Sequence, residues 1–228
     1  MAQVRPTSRK SQDASDLAAR QEVIDTALAM SRRGLSPGRS GNVSRRWAQG
    51  MLITPSGMSY ETLAPADIVF VANDESVPPR QRTPSSEWRF HLSTYAARPD
   101  MTAIVHTHST HATVLACAGR PIPAFHYMVA VAGGRDIPLV SYATFGTKRL
   151  ARLVAKGLEK RNACLMANHG QIAIGTTCAK ALELAAEVET LSEQFWKVLC
   201  LGDPIVLDAA EMDEVLERFA SYGQNAQK

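Results

Sequence analysis

Short β-forming runs come in adjacent pairs at both ends of this chain, with helix-patterned stretches between them. Near the start, Gly38-Arg39-Ser40-Gly41-Asn42 leads into a run through Trp47, which a turn at Gln49-Gly50 joins to Met51–Thr54. Toward the end, Ala163–Ala167 and Gln171–Ile174 flank Asn168-His169-Gly170. Strands joined by only a few residues must run antiparallel, because a parallel return needs a crossover of a dozen residues or more. Single strands are expected at Asp67–Val71, Ala103–Thr107 and Ile137–Val140, and 121–136 carries no clear pattern beyond a tight turn at Gly133-Gly134. Helical spacing of apolar residues, with caps, predicts helices over Asp16–Arg33, Ser85–Arg98, Thr110–Gly119, Thr147–Lys160, Thr177–Leu201 and Ala209–Ser221. This order predicts an α/β fold, a single three-layer α/β/α domain with a central, largely antiparallel or mixed sheet flanked by helices. The domain takes in residues 1–228, and residues 1–14, polar and without periodicity, are expected to form a flexible tail.

Composition narrows the function classes. A hydrophobic share of 45% in 228 residues is enough for one sizeable core. The formal charge is only +3 and the basic residues are scattered, which argues against nucleic acid as a partner. No apolar run approaches the roughly eighteen residues of a membrane span, and the N-terminal residues show no apolar signal core. A cytoplasmic protein is expected. Cys117, Cys164, Cys178 and Cys200 are widely spaced and read as reduced packing residues.

The chemistry concentrates in Ile104-Val105-His106-Thr107-His108-Ser109. On a strand, residues two apart share a face, so His106 and His108 can reach one divalent cation. The alternative is one core histidine satisfied by hydrogen bonds and one exposed. A catalytic zinc site needs three protein ligands and an open position, and His169, in a turn beside Gly170, is the natural third. Glu87 is either an ordinary helix-start carboxylate or a metal ligand and general base. Three turns could bind an anion: Ser40-Gly41-Asn42, Thr54-Pro55-Ser56-Gly57 and Ser85-Ser86. Together they suit a small sugar phosphate, and no nucleotide-binding fingerprint is present. His91 lies four residues after Glu87 and reads as a packing residue or a partner of the ligands. His111 falls outside the expected ligand set, and Tyr127 and Tyr222 taken alone read as structural.

The segments Ser40-Gly41-Asn42, Ile53-Thr54-Pro55-Ser56-Gly57, Pro84-Ser85-Ser86-Glu87-Trp88-Arg89-Phe90-His91, His106-Thr107-His108 and Asn168-His169-Gly170, in this order and at these separations, resemble the class II aldolase/adducin family. Phe125-His126-Tyr127-Met128 and Tyr142-Ala143-Thr144-Phe145-Gly146-Thr147 resemble its L-fuculose-phosphate aldolase branch, and the likeness runs from about Asp16 to Tyr222. The resemblance implies Zn2+ held by His106, His108 and His169, with Glu87 as a further ligand and the acid/base. It places Asn42, Ser56, Gly57, Ser85 and Ser86 around the phosphate, and Tyr127 and Tyr222 at the aldehyde end. It also implies a homotetramer with active sites between subunits. Two departures bear on specificity: Arg39-Ser40 stands before Gly41-Asn42 where small neutral residues are expected, and Gln224-Asn225 follow Tyr222 where the branch often has a basic residue.

The activity so implied is reversible cleavage of a ketose 1-phosphate, of the L-fuculose 1-phosphate type, through a zinc-stabilised enediolate. The products are dihydroxyacetone phosphate and a short aldehyde such as L-lactaldehyde. The alternatives are a 5-deoxypentulose 1-phosphate aldolase, a sugar-phosphate epimerase, dehydratase or decarboxylase using the same site, and a non-catalytic adducin-like scaffold.

Overall fold

The computed structural model describes residues 9–221. Seven strands form one open sheet: β1 (Gly41–Trp47), β2 (Gly50–Ile53), β3 (Val69–Ala72), β4 (Ala103–Thr107), β5 (Leu139–Val140), β6 (Ala163–Met166) and β7 (Gly170–Gly175). Their spatial order is β3-β2-β1-β4-β7-β6-β5. Every pairing is antiparallel except β5 with β6. The two hairpins read from sequence are therefore β1–β2 and β6–β7, and β4, which carries His106, lies between them at the centre of the sheet.

Six helices complete the described chain: α1 (Arg9–Arg32), α2 (Trp88–Ala97), α3 (Thr110–Cys117), α4 (Lys148–Gly157), α5 (Cys178–Leu201) and α6 (Ala209–Ser221). Alternation along the strands sorts the side chains between two cores. Ala103 and Val105 of β4 join Val23, Ile24 and Met30 of α1, Leu115 of α3 and Leu182, Val188 and Leu191 of α5. Ile104, between them, faces the other way into a core with Phe90 of α2 and Leu150 and Val154 of α4. β6 divides in the same manner, with Ala163 and Leu165 on the first face and Cys164 and Met166 on the second. Burial on both faces is what makes these strands read as nearly continuous apolar runs, and it produces the three-layer α/β/α arrangement.

Element ends differ from the sequence reading by up to three residues in several places, as where α4 stops at Gly157 and not Lys160, and two helix starts matter most. The first helix begins at Arg9 and not at Asp16, so the segment expected as a flexible tail is helical from Arg9 onward; residues 1–8 lie outside the described chain. The second helix begins at Trp88, because Ser85–Trp88 closes a turn (Trp88 N to Ser85 O, 3.1 Å) that leaves Glu87 at the cap position. Residues 121–136, without a clear pattern in sequence, contain a bridge between Ile122 and Ile137 and a 3-10 turn over Tyr127–Ala132. Gly133 ends that turn at φ +79, a left-handed conformation that glycine adopts without steric cost. Among the described residues no helix is long and apolar enough to cross a membrane.

Candidate active site

Three chain segments converge at one end of the central strands. His106 is the penultimate residue of β4, opposite Asn42 on β1 and Ile172 on β7. His108 lies just past the strand, and His169 sits in the β6–β7 turn. That turn is pressed onto the end of β4: a Cβ on Gly170 would stand 2.4 Å from the carbonyl oxygen of Thr107, so only glycine fits. Gly41, at φ +135, is confined in the same way against the carbonyl of His106.

The side chains these segments carry form one cluster. His106 Nε2 lies 3.0 Å from His108 Nε2 and 3.1 Å from Glu87 Oε2, and His169 Nε2 lies 2.9 Å from Glu87 Oε1. One ligand atom from each of the four residues falls within 4.8 Å of all the others. The three imidazole rings stand nearly edge-on to one another, with centroids 4.8–4.9 Å apart. His106 is fully buried.

The donor set fits a divalent cation. His106 Nδ1 donates to the backbone oxygen of Gln171 at 2.8 Å, so the neutral ring presents a bare Nε2 to the cluster. Glu87 Oε1 is buried, 2.9 Å from His169 Nε2. Bare nitrogen and carboxylate lone pairs packed this closely need positive charge between them. Burial would raise the Glu87 carboxyl, but where no metal stands between them, the positive charge and hydrogen bonds that His106 and His169 supply with a proton on Nε2 outweigh it and hold the group well below the usual carboxylate range. Burial, with His106 and His169 beside it, pushes His108 down to about 3, so this ring stays neutral, the form in which imidazole binds metal. At the cap position the Glu87 side chain makes no bond to its own helix and lies instead against His106 and His169.

A cleft of about 680 Å³ opens beside the cluster, a size suited to a small metabolite. Its walls include Gly41, Asn42, Ser56, Gly57, Ser85, Ser86, Glu87, His108 and His169. The two serine-bearing turns are adjacent because Ser56 N bonds Thr83 O at 3.0 Å and Ser85 N bonds Thr54 O at 3.1 Å. The third turn differs from its sequence reading in one respect. The Asn42 amide is not open to the cleft: its Nδ2 donates to Glu87 Oε2 at 2.9 Å and its Oδ1 meets His91 Nε2 at 2.5 Å.

Tyr127 does not line this cleft; it is half exposed, against His126 and Phe219. Tyr222 lies outside the described residues. Tyr142 and Phe145 do line the cleft, both largely exposed, and reading the residues alone had not singled them out as functional. Their signal was two large aromatics in a polar, glycine-containing loop. His111 is bound to Glu189, away from the cluster.

Comparison with known proteins agrees with this fold. The model of the class II aldolase and adducin N-terminal domain matches residues 21–196, and the chain belongs to this family. It is 53% identical over 213 residues to the 5-methylthioribulose-1-phosphate/5-deoxyribulose-1-phosphate aldolase of Rhodospirillum rubrum, spanning 93% of this chain and 96% of that one. It is 48% identical over 204 residues to an L-fuculose phosphate aldolase of Escherichia coli, spanning 89% and 94% of the two chains. A solved L-fuculose 1-phosphate aldolase superposes with a TM-score of 0.86 at 40% identity, covering 89% of this chain and 96% of that one. The chain is a class II aldolase, a lyase; such enzymes depend on a metal, and the His/Glu cluster could hold one.

Proposed function

We propose that this aldolase reversibly cleaves a 5-deoxypentulose 1-phosphate, either 5-deoxyribulose or 5-methylthioribulose 1-phosphate, to dihydroxyacetone phosphate and a short aldehyde. One observation carries the reading: a single cleft is lined both by members of the four-ligand cluster and by two turns rich in donors. The phosphate is held by Ser56, Gly57, Ser85 and Ser86, with the backbone of Gly41-Asn42 and the N-terminus of α2 adding donors. Tyr142 and Phe145 give the cleft an apolar surface suited to a methyl or methylthio tail.

In the condensation direction Glu87 removes the proton from the carbon alpha to the carbonyl of dihydroxyacetone phosphate; in cleavage it returns that proton to the same carbon after the C3–C4 bond breaks. A zinc ion held by His106, His108 and His169, with Glu87 as a further ligand, would supply Lewis-acid stabilisation of the charge developing on the phosphate-bearing half. Tyr127 or Tyr222 donates one proton to the aldehyde oxygen in condensation and takes it back from that hydroxyl in cleavage. The exposure of Tyr127 on a single chain suits delivery to a neighbouring subunit's cleft in a homotetramer.

L-Fuculose 1-phosphate, cleaved to L-lactaldehyde, is the second reading, favoured by the fuculose aldolase relatives. An assay for dihydroxyacetone phosphate with 5-deoxyribulose, 5-methylthioribulose and L-fuculose 1-phosphates decides between them. The expected order of kcat/KM places a five-carbon substrate first. Higher kcat/KM for L-fuculose 1-phosphate would reverse the assignment, and no product from any of the three would remove it.

A further inference from the structure

Behind Glu87 runs a line of buried polar groups that aldol chemistry does not by itself require. Tyr95 Oη lies 2.9 Å from Ser44 Oγ, Ser44 Oγ 2.7 Å from His91 Nδ1, His91 Nε2 2.5 Å from Asn42 Oδ1, and Asn42 Nδ2 2.9 Å from Glu87 Oε2. His91 and Ser44 are fully buried, and Tyr95 and Asn42 nearly so.

The polarity of this line follows from its last member. A carboxylate only accepts, so the Asn42 amide must turn its Nδ2 toward Glu87 and its Oδ1 toward His91. Oδ1 also only accepts, so the hydrogen of His91 sits on Nε2. Burial drives His91 down to about 3, leaving the ring neutral with a single hydrogen, and Nδ1 must then accept. Ser44 therefore donates to Nδ1, and Tyr95, whose hydroxyl also lies 3.4 Å from the carbonyl of Thr102, donates to Ser44 over the shorter 2.9 Å. Every hydrogen points toward Glu87. The ring cannot swing away, because it stacks on Phe90 at 4.8 Å and 19°, and Phe90 in turn meets the edge of His106 at 5.2 Å.

We propose that His91, backed by Ser44 and Tyr95, is a positioning residue for the reaction: through Asn42 it fixes the Oε2 side of Glu87 and leaves Oε1, 2.9 Å from His169 Nε2, as the oxygen that exchanges the substrate's proton. A carboxylate anchored by one oxygen keeps its aim when the other changes partner, and proton transfer depends on that aim. The inference rests on the aldolase reading, because only there does Glu87 have a proton to move.

The test uses the full chain loaded with zinc. His91→Phe keeps the stacking and removes both nitrogens; Ser44→Ala removes only the donor behind the ring. His91→Phe is expected to lower kcat about ten- to a hundredfold, the range seen when groups behind a reactive residue are lost. Ser44→Ala should lower it about tenfold, with KM and zinc content unchanged in both. The double variant should be no slower than His91→Phe, as members of one relay are not additive. Independently, 15N–1H correlation of the imidazoles should place the hydrogen of His91 on Nε2. Wild-type kcat in both variants, or the hydrogen on Nδ1, would overturn the proposal. If His91→Phe does not fold, Ser44→Ala and the tautomer still decide. A wild-type protein inactive on every ketose 1-phosphate would refute the substrate reading instead, and the tautomer would still show whether the relay exists.

Discussion

His106 donates from Nδ1 to the backbone carbonyl of Gln171, 2.8 Å away across the β4–β7 ladder. That one bond fixes the tautomer of a candidate ligand and aims its Nε2 into the cleft. Gln171 is itself anchored, since its buried side-chain amide donates to Ser109 Oγ at 3.0 Å and to Ala185 O of α5 at 2.8 Å. The ring orientation thus derives from sheet pairing and helix packing together.

If these rings hold the metal, prolonged chelation should reduce aldol cleavage to background, and added zinc should restore it. His106→Ala and His108→Ala should each purify with well under the roughly one ion per chain of the native protein, read by elemental analysis. Full activity after exhaustive chelation would contradict the assignment.

Glu87→Gln keeps the shape of the side chain and loses the base. It should fold normally and slow cleavage about a hundred- to ten-thousandfold, measured by release of dihydroxyacetone phosphate. A variant that retains its metal and cleaves at the native rate would exclude Glu87 from proton transfer.

Glu189 of α5 caps a different helix. Its Oε1 accepts from the backbone N of His111 at 2.8 Å and its Oε2 from that of Ala112 at 2.9 Å, while Ser109 at the cap position makes no capping bond. Glu189→Ala should therefore cost about 1–2 kcal/mol, equivalent to a Tm lower by about 2–8 °C in calorimetry. An unchanged Tm would show that water replaces the cap without loss.

Burial separates the four thiols. It pushes Cys164 and Cys178 up to about 12, whereas Cys117 and Cys200 are exposed. Iodoacetamide should label Cys117 and Cys200 in the folded protein and all four only after denaturation, as mass spectrometry of peptides would reveal.

His91 gives the metal-free protein a defined acid limb. Its folded value of about 3 lies below the unfolded 6.5, through burial first and the neighbouring His106 second. The unfolded chain therefore binds the extra proton, and stability present above pH 6.5 declines as pH falls from 6.5 toward 3. One such proton corresponds to a slope of about 1.4 kcal/mol per pH unit. Glu87, held low by its imidazoles, adds loss in the same direction below about pH 4.5. Denaturant midpoints with chelator present should fall less steeply over this window in His91→Phe than in the native chain.

Local pattern carried a good part of this molecule. Alternation and turn residues placed both hairpins, capping residues such as Thr147 and Thr177 placed helix starts, and the His-x-His spacing put two imidazoles on one face. These features depend on neighbours within a few positions, where backbone geometry alone sets the outcome. The relay from Tyr95 to Glu87 had no such signature. It alternates between β1 and α2, and its bonds join residues 45 to 51 positions apart. The same holds for Glu189, which caps a helix 78 residues earlier, and for the Asn42 amide, committed to Glu87 and His91 inside the site. Residue type and spacing alone established which residues could act as ligands, bases and turns. Tertiary structure alone decided which oxygen and nitrogen each presents, because a hydrogen bond is directional and its partner here arrives from a distant part of the chain.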